Sequence, residues 1–370
     1  MNSIKESLRA YSAEIGLDLI GVTTPDPFER MISELQLREE HYRGRYAYRI
    51  DTWRKFANPK EMLPEAKSIV VIGFYYLADE KPVPGLNGRM GRIVSYGHLG
   101  ILKRARLMCA FLRNHGFKAV MGAHRKEAAV RAGLGAIGKN NLVCNPKYGG
   151  WVAYQSIITD ADIEKDQPFE KDLCGDCRLC MEACPTGALY EPYRVDPRRC
   201  VTCLLTSREV SEENLPKMGT SILGCDICLE ACPRNKGLEP KRDIECLLPD
   251  GIGTQPPLRR MLDFTEESFQ DELISKIQDK ISDKKLLNLL MKSRLIRNTA
   301  SYVMKKFLKG REMLPETFVH ASGNMMVYKR NAIVAAGNLG DPELLPDIRR
   351  FKDDPMLGSY ARWAERKMMK

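Results

Sequence analysis

The chain has 370 residues, of which 44% are hydrophobic and 29% charged, a composition typical of a folded protein with two or three domains. Its longest apolar stretch, residues 69–78, has about half the roughly 20 residues that a membrane-spanning helix needs. Charges at Lys5 and Glu6 occupy the place of a signal peptide's apolar region. We therefore expect a cytoplasmic protein without a membrane partner. The formal net charge of +10 suits a polyanionic partner but does not require one.

Residues 1–165 combine helix and strand patterns and are predicted to form one α/β (or α+β) domain. Apolar residues at helical spacing, each run followed by a glycine cap, predict helices at residues 4–15 and 101–115. Runs of β-branched and aromatic residues predict strands at residues 68–76, 117–121 and 151–158. The run at 68–76 shows no alternation, so its strand should be covered on both faces.

Nine of the twelve cysteines lie between Cys174 and Cys232. In a long chain without secretion signals, such clustering indicates metal binding rather than disulfides. Residues 174–185 have the Cys-x2-Cys-x2-Cys-x3-Cys-Pro spacing of bacterial ferredoxins, and residues 225–233 repeat its second half. Zinc sites come as two CxxC pairs without this ending, so we predict two [4Fe–4S] clusters. Residues 166–240 have too few apolar runs to fold unaided, so the clusters should hold this ferredoxin-like domain together.

The cysteines divide into two sets of four if those followed by proline cross over between the clusters, as in two-cluster ferredoxins. The first set is Cys174, Cys177, Cys180 and Cys232. The second set is Cys184, Cys225, Cys228 and one of Cys200 and Cys203. The thiol left over is predicted to be a buried apolar filler or an alternative ligand. Two neighbouring clusters form an electron relay, which implies a terminal redox centre or a docked redox partner.

Residues 241–370 are predicted to form an all-α domain, since from about residue 255 the pattern is helical throughout. Helices are predicted at residues 284–309, 328–339, 342–351 and 357–369. The Arg-Asn step of residues 297–300 recurs 33 residues later at 330–333, which favours a HEAT-like repeat over two unrelated helices. Residues 284–311 hold nine basic residues and no acidic one. This stretch is either a footprint for phosphates or a solvated helix face.

Several motifs, in chain order, resemble those of epoxyqueuosine reductases. They lie at residues 131–142, 145–150, 184–189, 199–200, 224–233 and 330–342. The resemblance implies a cobalamin-dependent reductase related to reductive dehalogenases, with base-off corrinoid between the α/β domain and the ferredoxin-like module. It implies that a low-potential donor feeds electrons through both clusters to cobalt, and that cob(I)alamin then removes the epoxide oxygen of epoxyqueuosine in a tRNA anticodon stem-loop, giving queuosine. We expect the protein to be a monomer.

The resemblance also implies roles for particular residues. It selects Cys200 over Cys203 as the fourth ligand of the second cluster. It implies that the corrinoid is contacted by Lys139, Asn140, Thr202, Asp226 and Ile227.

The family carries an acid before the Arg-Ala-Gly motif, and this acid protonates the leaving oxygen. Residues 119–126 of this chain contain no carboxylate. His124 and His98 are therefore the candidate proton donors, because imidazolium is a competent acid near neutral pH. The alternative is that each is a surface or structural histidine.

Two other functions stay open at this point. The absent acid favours a corrinoid reductase that acts on a different substrate, such as a small molecule. A third possibility is a [4Fe–4S] electron-transfer protein whose N-terminal domain docks a partner and binds no corrinoid. Corrinoid content separates this third function from the other two.

Overall fold

The computed structural model describes residues 3–39, 47–242, 244–248, 252–281 and 325–369. Its strands are β1 (Leu19–Thr23), β2 (Ser68–Tyr75), β3 (Arg89–Met90), β4 (Ala119–Met121), β5 (Ala136–Ile137), β6 (Val143–Cys144), β7 (Val152–Thr159) and β8 (Ser221–Leu223). Its α-helices are α1 (Ile4–Glu14), α2 (Glu29–Leu37), α3 (Ala47–Ala57), α4 (Pro59–Met62), α5 (His98–Asn114), α6 (Arg125–Arg131), α7 (Leu179–Glu182), α8 (Val201–Leu205), α9 (Ile227–Glu230), α10 (Leu258–Asp263), α11 (Glu266–Ser268), α12 (Ser275–Ile281), α13 (Met325–Leu339), α14 (Leu345–Arg349) and α15 (Gly358–Met368). None of these helices is both long and apolar enough to cross a membrane.

The chain forms two compact units, each made of three segments. The first unit comprises Met1–Leu77, Gly100–Arg198 and Ile227–Lys241. The second unit comprises Ala78–Leu99, Arg199–Asp226 and Arg242–Lys370. The cysteine-rich segment, residues 166–240, is therefore divided between the two units. The division into domains at residues 1–165, 166–240 and 241–370 stays a prediction.

A four-stranded antiparallel sheet lies at the centre of the first unit, in the order β1-β2-β7-β4. Strands β2 and β7 pair along their whole lengths, and every residue of both strands is buried. Helix α6 packs on β1, β2 and β7. The sheet is antiparallel throughout, so this unit is α+β rather than a parallel α/β fold.

Most local predictions for the first unit are confirmed. The predicted strands correspond to β2, β4 and β7, and the predicted helices to α1 and α5, with no end moved by more than three residues. Gly16 and Gly116 follow these helices with φ of +70° and +85°, a left-handed conformation that favours glycine. The pattern missed β1, α2, α3 and α6, which are short or lack a clear period.

The second unit has an apolar core built by α8, β8, α10 and helices α12 to α15. Its largest buried side chains include Phe269, Tyr328 and Trp363. The helices α13, α14 and α15 confirm the helical pattern predicted after residue 328. The predicted helix at 284–309, the basic stretch and the first Arg-Asn step lie outside the described residues, so the HEAT-like repeat stays a prediction.

Candidate iron–sulfur centre

Four cysteines of the first unit line one cavity: Cys174, Cys177, Cys180 and Cys232. They are the four that the spacing assigns to the first cluster. The loop before α7 carries the first two, α7 carries Cys180, and Cys232 follows α9, which packs against α7. Four thiols around one cavity are the donor set that a [4Fe–4S] cluster requires, so these residues fit the predicted cofactor.

Their arrangement differs from a mononuclear site. In the described part of the chain, no three His, Cys, Asp or Glu side chains form a group that could hold one metal ion. A cubane needs no such convergence, because each of its four thiolates binds a different iron atom.

The Gly-Lys-Asn motif at residues 138–140 also lines the cavity. The Lys139 N–H donates a hydrogen bond to Cys174 Sγ at 3.4 Å, and the Lys139 ammonium group donates to the carbonyl of Gly175. Hydrogen bonds to ligand sulfurs are one of the means by which proteins set the potential of an iron–sulfur cluster. The motif therefore supports the cysteine loop that begins at Cys174.

Asn235, which follows Cys232 by three residues, also lines the cavity. Its Oδ1 accepts the Gly150 N–H at 2.7 Å, and its Nδ2 donates to the Leu229 carbonyl at 2.7 Å. A Cβ atom built on Gly149 would lie 2.0 Å from Asn235 Oδ1. Gly149 is therefore required for this close approach, and sequence reasoning did not identify Asn235 as its partner.

Cys144 is a fifth thiol on the same cavity and was not predicted there. Burial, and then the nearby Cys232 and Cys174 thiols, raise the pKa of Cys144 to about 12. The cysteine spacing assigns Cys144 to neither ligand set, so we do not count it among the cluster ligands. No spacing signal marks this residue, because β6 brings it from outside the cysteine-rich segment.

The second predicted ligand set draws on both units. Cys184 and Cys228 belong to the first unit, whereas Cys200 and Cys225 belong to the second. Burial alone would raise the pKa of the Cys184 thiol. Hydrogen bonds from the Thr186 hydroxyl and from the backbone around Leu189, Thr186 and Ala188 outweigh burial and lower the pKa. This turn therefore favours the thiolate that an iron ligand must be.

The thiols of Cys200 and Cys203 contact each other at the start of α8. The hydrogen bond with Cys203, together with burial, raises the pKa of Cys200 well above its usual value. Both sulfurs therefore lie on one face of the helix turn. The choice between them as iron ligand stays a prediction.

Three of the predicted corrinoid contacts bind other parts of the protein. Asp226 is 3% exposed, and its Oδ2 accepts the Arg92 N–H at 2.9 Å and lies 3.6 Å from the Arg92 guanidinium. Lys139 binds the Cys174 loop, as described above, and Asn140 Oδ1 accepts the Leu142 N–H at 3.2 Å. These contacts are not by themselves evidence of a corrinoid site. Asn140, Thr202 and Ile227 are half-buried.

His124 is the N-cap residue of α6, and its Nδ1 accepts the Glu127 N–H at 3.4 Å. Burial, and then the charges of Lys126, Arg125 and Arg30, lower the pKa of His124 well below its usual value. A lowered pKa disfavours the imidazolium form of His124, and its role as proton donor stays a prediction. His98, the other candidate, is half-buried at the first residue of α5.

Glu127 lies one residue beyond the stretch in which no carboxylate was found. Its side chain is 17% exposed, and its Oε1 is 3.8 Å from Arg30 Nε. Burial raises the pKa of Glu127 more than Arg30 and Lys126 lower it. Burial also lowers the pKa of Lys126 to about 8. Neighbouring ionisable groups with shifted pKa values are typical of functional sites. The sequence did not indicate this pair, because the shifts depend on burial, which a sequence pattern does not report.

Comparison with known proteins decides the family. A model of the 4Fe-4S double cluster binding domain matches residues 173–235. Epoxyqueuosine reductase of Bacillus subtilis is 30% identical to the chain, over 95% of this chain and 92% of its own length. The chain belongs to the epoxyqueuosine reductase family. It is therefore an oxidoreductase, and its cysteine-rich segment is an iron–sulfur domain.

Solved structures of epoxyqueuosine reductases share the fold. One, in complex with an epoxyqueuosine-modified stem loop of tyrosine tRNA, has a TM-score of 0.78 and 27% identity, and the match covers 99% of this chain and 90% of that one. Another, from Bacillus subtilis, has its aspartate catalytic loop swung out of the active site. It has a TM-score of 0.76 and 27% identity, with the same coverage of both chains. The family resemblance predicted from the motifs is confirmed.

The first ligand set is tested by removing one cysteine at a time. Cys177→Ser is expected to halve the iron content of the anaerobically reconstituted chain, because a [4Fe–4S] cluster is bound here by four thiolates. Cys144→Ser in the same cavity should keep both clusters. Iron and sulfide analysis with EPR of the reduced protein measures both. Full iron in Cys177→Ser, or loss of iron in Cys144→Ser, would contradict the assignment.

Proposed function

We propose that this chain reduces epoxyqueuosine in a tRNA anticodon stem-loop to queuosine. The observation that carries the proposal is the 30% identity to an epoxyqueuosine reductase across 95% of the chain. Conversion of an epoxide to an alkene consumes two electrons and two protons and releases the oxygen as water. The reaction therefore needs an electron relay, which supplies the electrons, and a partly buried acid, which supplies a proton.

Electrons are proposed to enter from a low-potential donor and to pass through both clusters, with the protein acting as a monomer. The first cluster is assigned to the cavity of Cys174, Cys177, Cys180 and Cys232. The Lys139 N–H holds one of its sulfurs, and the turn after Cys184 stabilises a thiolate of the second set. These backbone groups cost no reorganisation when an electron arrives, because they are already oriented.

Cobalamin is the proposed electron acceptor inside the enzyme, on the strength of the family resemblance. When bound, it supplies a strongly reducing cobalt centre that a low-potential iron–sulfur cluster can serve. Lys139, Asn140, Thr202, Asp226 and Ile227 remain the proposed contacts. Of these, Lys139 also binds the loop that begins at Cys174.

Glu127 is the proposed proton donor. The Bacillus subtilis relative has an aspartate catalytic loop, and here residues 119–131 contain a single carboxylate, Glu127. Because burial raises its pKa, Glu127 keeps its proton closer to neutral pH than an exposed glutamate does. His124 caps α6 and holds the Glu127 backbone, so it is a positioning residue in this scheme.

One alternative retains support from a specific observation. The missing aspartate before α6 favours a corrinoid reductase that acts on a substrate other than tRNA. The two functions share cofactors and electron path, so only the substrate separates them.

Substrate conversion tests the proposal directly. The reconstituted chain, supplied with cobalamin and a low-potential reductant under anaerobic conditions, is incubated with a stem loop that carries epoxyqueuosine. Nucleoside mass spectrometry is expected to show epoxyqueuosine replaced by queuosine, which is lighter by one oxygen. Unchanged epoxyqueuosine in the presence of reduced clusters would contradict the tRNA substrate and favour the alternative.

The pH dependence of turnover tests the proton donor. A donor must be protonated, so the rate should fall as pH rises through the raised pKa of Glu127. Glu127→Gln cannot give up a proton, and we expect kcat to fall by roughly 10²–10⁴-fold with loss of this alkaline limb. His124→Asn is the matched control, because asparagine also caps helices and should keep kcat within a few fold. An unchanged pH profile in Glu127→Gln would contradict the role.

The basic stretch at residues 284–311 gives a prediction from sequence alone. Changing Lys305, Lys306 and Lys309 together to Glu should weaken stem-loop binding and lower its salt dependence, because fewer counterions are released from the phosphates. The control makes the same charge change at three exposed lysines elsewhere: Lys55, Lys60 and Lys81. Binding is measured by fluorescence anisotropy at several salt concentrations. Equal weakening by both triple variants would show that total charge, not this stretch, attracts the RNA.

A further inference from the structure

Arg330 and Asn331 form a polar pair among the buried, mostly apolar residues of helix α13. Arg330 is 2% exposed and Asn331 is 1% exposed. Burial of a guanidinium group is costly unless its donors are satisfied by hydrogen bonds. Neither residue has a role in the proposed reaction, so their placement in the second unit calls for a physical reason.

The Arg330 guanidinium binds the carboxyl end of α8. Its NH2 group donates to the carbonyls of Leu204 and Leu205 at 3.2 and 3.1 Å, and its NH1 group donates to the carbonyl of Ser207. The last carbonyls of a helix lack partners within the helix, and its dipole favours a cation at this end. Cys200 is the N-cap residue of the same helix. Arg330 therefore fixes the short helix at whose other end a predicted iron ligand lies.

Asn331 joins this helix to strand β8. Its Nδ2 donates to the Leu205 carbonyl at 2.9 Å and to the Ile222 carbonyl at 2.8 Å. Its Oδ1 accepts from the guanidinium of Arg330 at 2.7 Å, so the two side chains act as one group. Ile222 is followed, three residues later, by Cys225, the other second-unit cysteine of the predicted ligand set.

The backbone between Ile222 and Cys225 is itself held firmly. The Leu223 carbonyl accepts the Gly91 N–H at 2.7 Å. Gly224 has a φ of +81° and packs closely against Gly91: a Cβ atom added to either glycine would lie 3.0–3.1 Å from the backbone of the other. The hydrogen bond from Asn331 to Ile222 therefore also restricts the position of Cys225, because the backbone between these two residues is fixed.

We propose that Arg330 and Asn331 are positioning residues for the second iron–sulfur cluster, because they fix the two second-unit segments that carry Cys200 and Cys225. The inference rests on the predicted ligand set and not on the tRNA substrate. Lysine cannot replace Arg330, since a single ammonium point charge cannot span the carbonyls of Leu204, Leu205 and Ser207.

The test uses the full-length, anaerobically reconstituted protein and compares Arg330→Lys and Asn331→Ala with the wild type. Iron content, reduced EPR signals and midpoint potentials are measured, with Cys177→Ser and Cys184→Ser identifying the signal of each cluster. We expect the second cluster to lose at least half of its occupancy or to change its midpoint potential, while the first cluster is retained. Arg350→Lys, at an exposed ion pair with Asp263 in the same unit, is the control and should change neither.

A merely structural role gives a different result. If both variants unfold more easily but hold both clusters at unchanged potentials, or lose both clusters in parallel, the positioning role is overturned. Neither result depends on tRNA conversion. If the ligand set itself is wrong, Cys184→Ser keeps its iron, which distinguishes that failure from failure of the inference.

Discussion

Bonds between cysteine thiolates and iron are the constraint on which the cysteine-rich segment depends. Within residues 173–198 the buried apolar cluster is small, with Cys180, Met181 and Leu189 at its centre. Such a cluster cannot offset the entropy of ordering a segment of this length. Metal binding supplies the missing stabilisation, as in other small metal domains, so electron transfer and folding rely on the same bonds.

The rest of the molecule presents those cysteines on rigid backbone. In the first unit, the Gly-Lys-Asn motif and Asn235 bind the loops around the four-cysteine cavity, next to an antiparallel sheet that is fully buried along β2 and β7. In the second unit, Asp226 is anchored by Arg92, and α8 is anchored by Arg330. Polar side chains therefore hold main-chain groups near the cysteines, and large apolar cores hold those side chains in turn.

The chemistry was more predictable from sequence than the geometry. Cysteine spacing, together with the crossover of the proline-linked cysteines known from two-cluster ferredoxins, predicted four of the cysteines that line the cavity. Glycine caps and the apolar run of β2 are also local signals, and both were confirmed. The antiparallel strand order, Asn235 and Cys144 depend on contacts between distant segments, which no local pattern reports. A local pattern also does not report burial, and burial is what raises the pKa of Glu127 and lowers that of His124.

Single turnover of the pre-reduced enzyme tests most directly whether electrons from the clusters reduce the epoxide. The cobalamin-loaded chain is reduced, freed of reductant and mixed anaerobically with the epoxyqueuosine stem loop, and EPR spectra and nucleosides are sampled from the same reaction. The account predicts that the reduced [4Fe–4S] signals decay as queuosine forms, in proportion to the electrons consumed. Queuosine formation with undiminished cluster signals, or decay of the signals without queuosine, would contradict it.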